Sequence, residues 1–538
     1  MKGLLIQPSP PSPPPSPPPS PPPSPPDART ATFELDDSAA AATTPTREPF
    51  LPARYRISLL CFSAAFFGYA QRYGLALAIV RMQSELDWDR STQGKVVAAF
   101  FGGYMIAQLP AGYFAARFGP RVSITVGLVC SSLLNLLLPP AAAISPWAVA
   151  ALRVLQGLFQ GILFPGFAAI WSRWAPPMER SRLDGLPRAG GFCGAMACNL
   201  IGGWQCDLSG WSPWLFGHWQ GVFSLWGVLG LLFSCVWWHL IVDTPAEACS
   251  SPSRMRRYGC SRAESEYIRE AIGEQLLGAA VVVKPPPCSV YLKIARSLPV
   301  WAITIAHTMN DAALYMLDDG LPPYLRDVHG LDLSSIGVLL AINGGLKPVC
   351  IVLASVLADQ LCMRRMRLRI VHVRKLITVI SFVPQGIFLL ALAANVLNTP
   401  QVILPCLLLV APLNIACNGG GYAVNHLDIA PQLASLVLAF YNTGGQVAGW
   451  MIPWLIGEMT PYPNGESRAQ MEASGSGEAE PSDEWVAALS AEWRITFLLG
   501  GCCNLIGAAF YVAFASDRVQ PWARLARQGA SESELMVY

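Results

Sequence analysis

An all-α integral membrane protein, with twelve transmembrane helices in two six-helix pseudo-symmetric bundles, is the fold class predicted by three observations. The 538 residues are 53% hydrophobic and only 13% charged, about half the charge of an ordinary soluble chain. Apolar segments recur along the chain, each near the ~20 residues that cross a bilayer core at about 1.5 Å per residue. Lysine and arginine gather on alternate connections between those segments.

The chain opens on a Ser/Pro repeat, "PSPPSPPPSPPPSPPPSPP", from Pro8 to Pro26. Proline fixes φ and removes backbone donors, so residues 1–55 are expected to form an extended or disordered tail. No secretory signal is expected there, because the first apolar run starts near Ile57. The predicted spans are 57–80, 96–116, 122–142, 147–171, 187–206, 219–241, 299–321, 333–358, 375–395, 400–423, 432–457 and 494–516. The longest break, 243–298, divides them six and six. It is basic, and "SRAESEYIREAIGEQL" within it reads as an amphipathic surface helix capped by Ser261. The resulting division is a tail at 1–55, bundles at 56–242 and 299–517, a linker at 243–298 and a second tail at 518–538.

With the amino end in the cytoplasm, the connections after spans two, four, six and eight are cytoplasmic too. They carry Arg117 and Arg121; Arg173, Arg180 and Arg182; the linker arginines; and Arg364, Arg365, Arg367, Arg369, Arg374 and Lys375. The loop at 458–493 is acidic and is expected on the opposite side. Both termini are thus predicted to be cytoplasmic. Net charge is only +2, so no nucleic-acid partner is expected. The cysteines form no C-x-x-C pair, so neither metal nor cofactor is expected.

Polar residues inside the spans are costly and therefore informative. An arginine near the membrane centre costs about 2.5–3.5 kcal/mol on insertion scales. Arg153, in "RVLQGLFQGILFPG", and Arg72, in "FFGYAQRYGLALAIV", lie at similar depths, roughly 9 and 12 Å from the outer ends of their spans. Two guanidiniums at one level repel unless an anion visits them, and their fork suits carboxylate or phosphate. A rival reading pairs each arginine permanently with backbone carbonyls or glutamines. Gln160 returns to the face of Arg153 after seven residues, with Gly157 and Gly161 nearby. In span seven, "AHTMNDAALYMLDDGLPPYL" places Asp311 mid-span, Tyr315 and Asp318 beyond it, and His307 one turn before. Asp311 is a candidate proton carrier or a partner for an arginine, and His307 could titrate with it.

Several stretches resemble the anion:cation symporter branch of the major facilitator superfamily, which includes vesicular glutamate transporters, sialin, sodium-phosphate cotransporters and plastid phosphate or ascorbate relatives. The stretches are "GYAQRYGLALAIV", "LDWDRSTQGKVVAAFFGGYMIAQLPAGYFAARFG", "RVLQGLFQGILFPGFAAIWSRWAPPMERSRL", "SEYIREAIGEQ", "YAVNHLDIAPQLAS" and "FYVAFASDRVQPWA". The resemblance implies that Arg72 and Arg153 serve anion recognition. It also implies differences. The family's acid in G-x-x-E-G is Gln160 here, a common histidine is Ala168, the helix-two histidine of glutamate carriers is Val97, their helix-seven arginine is Asn310, and the asparagine that often follows the helix-one arginine is Gly74. These departures argue against vesicular glutamate transport. In the loop between spans two and three the usual acid is Ala116. Gating contacts are expected from Arg117, Arg121, Glu179, Arg180, Arg182, Asn425, His426 and Asp428.

The expected function is secondary active transport of an organic or inorganic anion by alternating access, driven by a proton or sodium gradient or by exchange. Substrate contacts are expected from Arg72, Arg153, Gln160, Asn310 and Tyr315, and ion coupling from Asp311 and His307. The chain is expected to work as a monomer in a bilayer and not as an enzyme. A transport-dead sensor or scaffold of the same fold is the alternative; an intramembrane transferase would need clustered His or Asp.

Overall fold

A computed structural model describes residues 51–524 apart from 87, 89, 208–217, 273–287, 332, 363–367, 398 and 460–482. The Ser/Pro repeat, Arg364, Arg365 and Arg367, and most of the acidic loop lie outside the described residues. The rest is almost entirely helical. The amino-terminal half comprises α1 (Ala53–Leu86), α2 (Arg90–Ile144), α3 (Pro146–Gln160), α4 (Leu163–Trp174), α5 (Arg180–Asp207) and α6 (His218–Leu240). The linker carries α7 (Pro245–Ala248), α8 (Pro252–Tyr258), α9 (Arg262–Ile272) and α10 (Cys288–Ala295). The carboxyl-terminal half follows with α11 (Leu298–Asp327), α12 (Leu333–Cys362), α13 (Ile370–Ala393), α14 (Pro400–Asn414), α15 (Cys417–Gly420), α16 (Asn425–Ile429), α17 (Ala434–Met459) and α18 (Asp483–Phe514), before the short α19 (Pro521–Arg524).

Two of the predicted spans merge in α2. They are separated by a break at Gly119, whose φ of +79° leaves helical geometry and suits a residue without Cβ. Asp243 accepts the Arg121 N–H at 2.8 Å, capping the second limb. Conversely, the fourth span is split into α3 and α4 near Gly161. Ser145 caps α3 by accepting the Ala148 N–H at 3.1 Å. Counting α2 as two limbs, and α3–α4 and α14–α15 as one crossing each, the described residues form six crossings on either side of the linker.

Seven helical stretches are long and apolar enough to cross a membrane by length and composition. The helices α1, α5, α11 and α17 fall outside that measure, and the first three carry Arg72, Asp184, Arg188, Asp311 and Asp318. Exposed Leu133, Leu137, Leu232, Leu353, Ile387, Leu409 and Ile506 form the apolar exterior that a lipid-facing bundle needs and a soluble protein avoids. In the linker, α9 is amphipathic, and Ser261 Oγ accepts the Glu264 N–H at 3.1 Å. Glu264 then reaches away from its own helix, accepting the Ala53 N–H at 2.9 Å and Arg54 Nη1 at 2.9 Å. A linker carboxylate thereby caps the first turn of α1.

Candidate functional site

Two glycines bring α2 and α3 into backbone contact. A Cβ on Gly103 would strike the Val154 carbonyl, and one on Gly157 would strike the Phe100 carbonyl. This approach seats Phe100 beside both predicted arginines. Its ring centroid lies 5.1 Å from the guanidinium carbon of Arg72 and 4.7 Å from that of Arg153, within cation–π range.

The two arginines have different surroundings. Arg153 is only 3% exposed. Its Nη1 donates to Gln156 Oε1 at 2.8 Å and its Nη2 to the Arg72 carbonyl at 3.2 Å. Gln156 continues to Asn135, and Gln160 donates to Ser131 Oγ at 2.7 Å. Ser131 in turn donates to Gln71. Gln160 therefore belongs to a polar ladder inside the amino-terminal half, which satisfies buried amides. The Arg72 guanidinium instead stands among rings, 4.7 Å from Phe101, 5.6 Å from Tyr69 and 5.7 Å from Tyr104. It makes no ion pair among the described residues.

A hydrogen-bonded path leads from that aromatic cage into the other half. Asn442 of α17 donates to Gln108 Oε1 at 3.0 Å and to the Tyr104 hydroxyl at 3.5 Å. Its Oδ1 pairs with His307 Nε2 at 3.1 Å, and His307 Nδ1 lies 3.0 Å from the Tyr422 hydroxyl. Asp311 Oδ2 is 3.5 Å from His307 Nε2. A Cβ on Gly445 would collide with both Asp311 and His307, and Tyr315 packs on Gly449. Asn310 is fully buried. Arg72, Asp311, His307 and Tyr315 thus gather at the interface between halves, whereas Arg153 and Gln160 turn into the amino-terminal half.

The basic end of the molecule is clasped by ion pairs. Asp428 accepts Arg180 Nη1 at 3.1 Å and Arg374 Nε at 2.9 Å. Arg374 also donates to Ser181 Oγ at 2.6 Å and the Gly420 carbonyl at 3.1 Å. Asp359 of α12 accepts the N–H groups of Ser181 and Arg182 and the Nε of Arg182. His426 is buried, its Nδ1 2.8 Å from the Ala423 carbonyl. Asn425 donates to the Ser516 carbonyl at 3.1 Å.

Other expected gating residues bind within their own half or the linker. Glu179 accepts Arg54 Nε at 2.8 Å and the hydroxyls of Tyr55 and Tyr267 at 2.9 and 3.0 Å. Arg121 Nη2 donates to the Trp238 carbonyl at 2.9 Å, and Arg117 lies over Phe118. The sequence alone did not single out Asp359, Arg188 or Lys347, whose Nζ lies 2.6 Å from Oδ2 of Asp318. All are ionisable residues inside or at the ends of apolar helices, the signal that had marked Arg72.

Two helical halves that meet on a charged interface within an apolar exterior define a membrane transporter. The chain belongs to the Major Facilitator Superfamily, whose family model matches residues 61–453, and within it to the anion:cation branch that holds the vesicular glutamate transporters. It is 30% identical to vesicular glutamate transporter 2 of Homo sapiens over 493 residues, covering 88% of this chain and 76% of the relative. It is 29% identical to vesicular glutamate transporter 1 of Bos taurus over 520 residues, covering 91% and 83%. Among solved structures, the proton:xylose symporter XylE bound to 6-bromo-6-deoxy-D-glucose superposes with a TM-score of 0.63 at 15% identity, covering 87% of this chain and 97% of that one. A bacterial homologue of the iron transporter ferroportin in its outward-facing state gives 0.58 at 12%, covering 85% and 99%. These two likenesses concern the fold.

Proposed function

We propose that the protein is a secondary active carrier of a small organic or inorganic anion, working by alternating access between halves at 56–242 and 299–517. The observation that carries this reading is the Arg72 guanidinium, held among aromatic rings at the interface with no carboxylate paired to it among the described residues. An unpaired cation in that setting is stabilised by an anionic guest. Arg153 has a positioning part. It fixes the Arg72 backbone and shares Phe100, so the cage around Arg72 keeps its shape.

Asp311 and His307 are the coupling pair. A carboxylate 3.5 Å from an imidazole can share or exchange a proton, and the pair connects to the Arg72 cage through Asn442 and Tyr104. Gln160 is neutral and cannot carry the proton. The basic loops mark the cytoplasmic side by the positive-inside rule, so the Asp359 and Asp428 clasps close the cytoplasmic gate and the arrangement faces outward.

The test is uptake into proteoliposomes of labelled phosphate, glutamate, sialate, urate and ascorbate, with and without proton or sodium gradients. Saturable uptake of one anion, lost in Arg72→Gln, is expected. Asp311→Asn should abolish pH-driven uptake and leave counterflow exchange. Intact pH-driven uptake in that variant removes Asp311 from the coupling, and failure of every anion removes the carrier reading.

A further inference from the structure

Arg188 sits in α5 with its side chain 11% exposed. Its Nε donates to Asp184 Oδ2 at 2.9 Å. Its Nη2 crosses to the other half, 3.3 Å from the Ala423 carbonyl and 3.5 Å from the Tyr441 hydroxyl. Nη1 makes no hydrogen bond to the described residues. The guanidinium carbon lies 5.7 Å from the Phe164 ring. Phe164 meets Tyr69 edge-to-face at 6.2 Å, and Tyr69 lies under Arg72 at 5.6 Å. A single aromatic pair therefore separates the two guanidiniums. The α5 turn that bears Arg188 packs directly on it, since a Cβ on Gly191 would stand 3.1 Å from the Tyr69 ring. Asp311 lies within the field of both arginines.

We infer that Arg188 is a second anion-binding residue of this interface, holding the distal acceptor group of an elongated carboxylate whose first carboxylate lies on Arg72. The inference rests on the anion-carrier reading. Arg153 cannot take this place, because it is sealed and committed to Gln156 and the Arg72 carbonyl. Arg188 can, because Asp184 fixes one edge of its fork and leaves the Nη1 N–H groups for a ligand. Asp184 also balances its charge, so Arg188 contributes directed hydrogen bonds more than net attraction. Between the two forks lie the rings of Tyr69 and Phe164, a surface that accepts the methylene spacer of a dicarboxylate. A compact anion reaches only one fork.

The experiment is uptake of succinate, propionate and inorganic phosphate by the reconstituted full chain. Wild type should prefer succinate. Arg188→Gln should raise the KM for succinate about tenfold, the scale of one lost charge-assisted hydrogen bond, and change propionate less than twofold. Because Arg188→Gln strands the buried Asp184, the Asp184→Asn/Arg188→Gln pair is measured as well. It should show the same loss of preference, with Arg188→Lys restoring part of it. A wild-type preference for propionate or phosphate, or an unchanged succinate KM in the double variant, overturns the assignment of Arg188. A wild-type chain that takes up none of these three and none of the wider anion panel overturns the carrier reading instead, and full uptake in Arg72→Gln overturns the placing of the first carboxylate on Arg72.

Discussion

Asp359 of α12 caps the amino end of α5 from the opposite half. Its Oδ2 accepts both the N–H and the Nε of Arg182 at 3.0 Å, and its Oδ1 accepts the Ser181 N–H at 3.2 Å. Helix amino ends leave free N–H groups and a partial positive charge, which a carboxylate satisfies. Here the carboxylate departs whenever the halves separate. At the matching place in the amino-terminal half residue 116 is alanine. Among the described residues, the carboxylates that form ion pairs across the halves at the basic end are Asp359 and Asp428.

Asp359→Ala should thus weaken the closed state by about 0.5–2 kcal/mol, the cost of a lost cap, without unfolding either half. The measurement is thiol labelling of a cysteine placed at Ser355, beside Gly185 and Gly419 in the clasp. Labelling from the basic side should rise several-fold in the Asp359→Ala background. Equal labelling in both backgrounds would show that the cap does not hold the gate.

Arg153 gives a second prediction. Its two hydrogen bonds and its place on Phe100 depend on the planar fork, so Arg153→Lys should not rescue Arg153→Gln. Both should lower the melting temperature, because Gln156 and the Arg72 carbonyl lose a buried donor at about 1–3 kcal/mol each. If Arg153 touched the anion directly, lysine would restore much of the affinity. Equilibrium binding and thermal melting of the three forms separate these outcomes.

The all-helical membrane fold was legible because apolar length is imposed by the bilayer itself. Arg72, Asp311 and His307 stood out as candidates because an ionisable group in such a span is costly. Which of the two arginines is sealed was not legible. Arg153 and Arg72 have the same depth and chemistry in the sequence, and only the Gly103–Gly157 approach decides which of them is sealed. Glu179 was equally opaque. "ERSR" announces a charged helix start, but whether its acid faces the other half or the linker depends on where α9 lies. Long-range pairing of this kind has no local signature.

Glu179 carries a pH dependence whose sign follows from its partners. Burial acts to raise its carboxyl, but Arg54, Tyr55 and Tyr267 outweigh it and hold the group below the ordinary value of 4.5. A depressed carboxyl contributes stability that is fully present above that ordinary value and is lost as pH falls through the folded one. The melting temperature of wild type should therefore exceed that of Glu179→Gln by a constant margin from neutral pH down to about 5. The margin should shrink only in more acidic buffer. A margin that already narrows between pH 7 and 6 would mean that the Arg54 pairing does not hold in solution.

The last prediction concerns the glycine pair that shapes the cage. Gly157 has no room for a side chain, since its Cβ would enter the Phe100 carbonyl and come within 2.7 Å of the Tyr104 nitrogen. Both atoms are backbone, so no rotamer change relieves the clash, and α3 must move off α2. Overpacking of this kind costs about 1–3 kcal/mol. The displacement would part Phe100 from Arg153 and carry Tyr104 away from Arg72 and Asn442. Gly157→Ala should therefore lower the melting temperature and also weaken anion binding, although residue 157 touches no ligand. Gly102, whose Cβ would meet nothing within 4 Å, is the control. Gly102→Ala should keep both properties. Loss of binding in Gly102→Ala, or full binding in Gly157→Ala, would show that the α2–α3 approach does not set the geometry of Arg72.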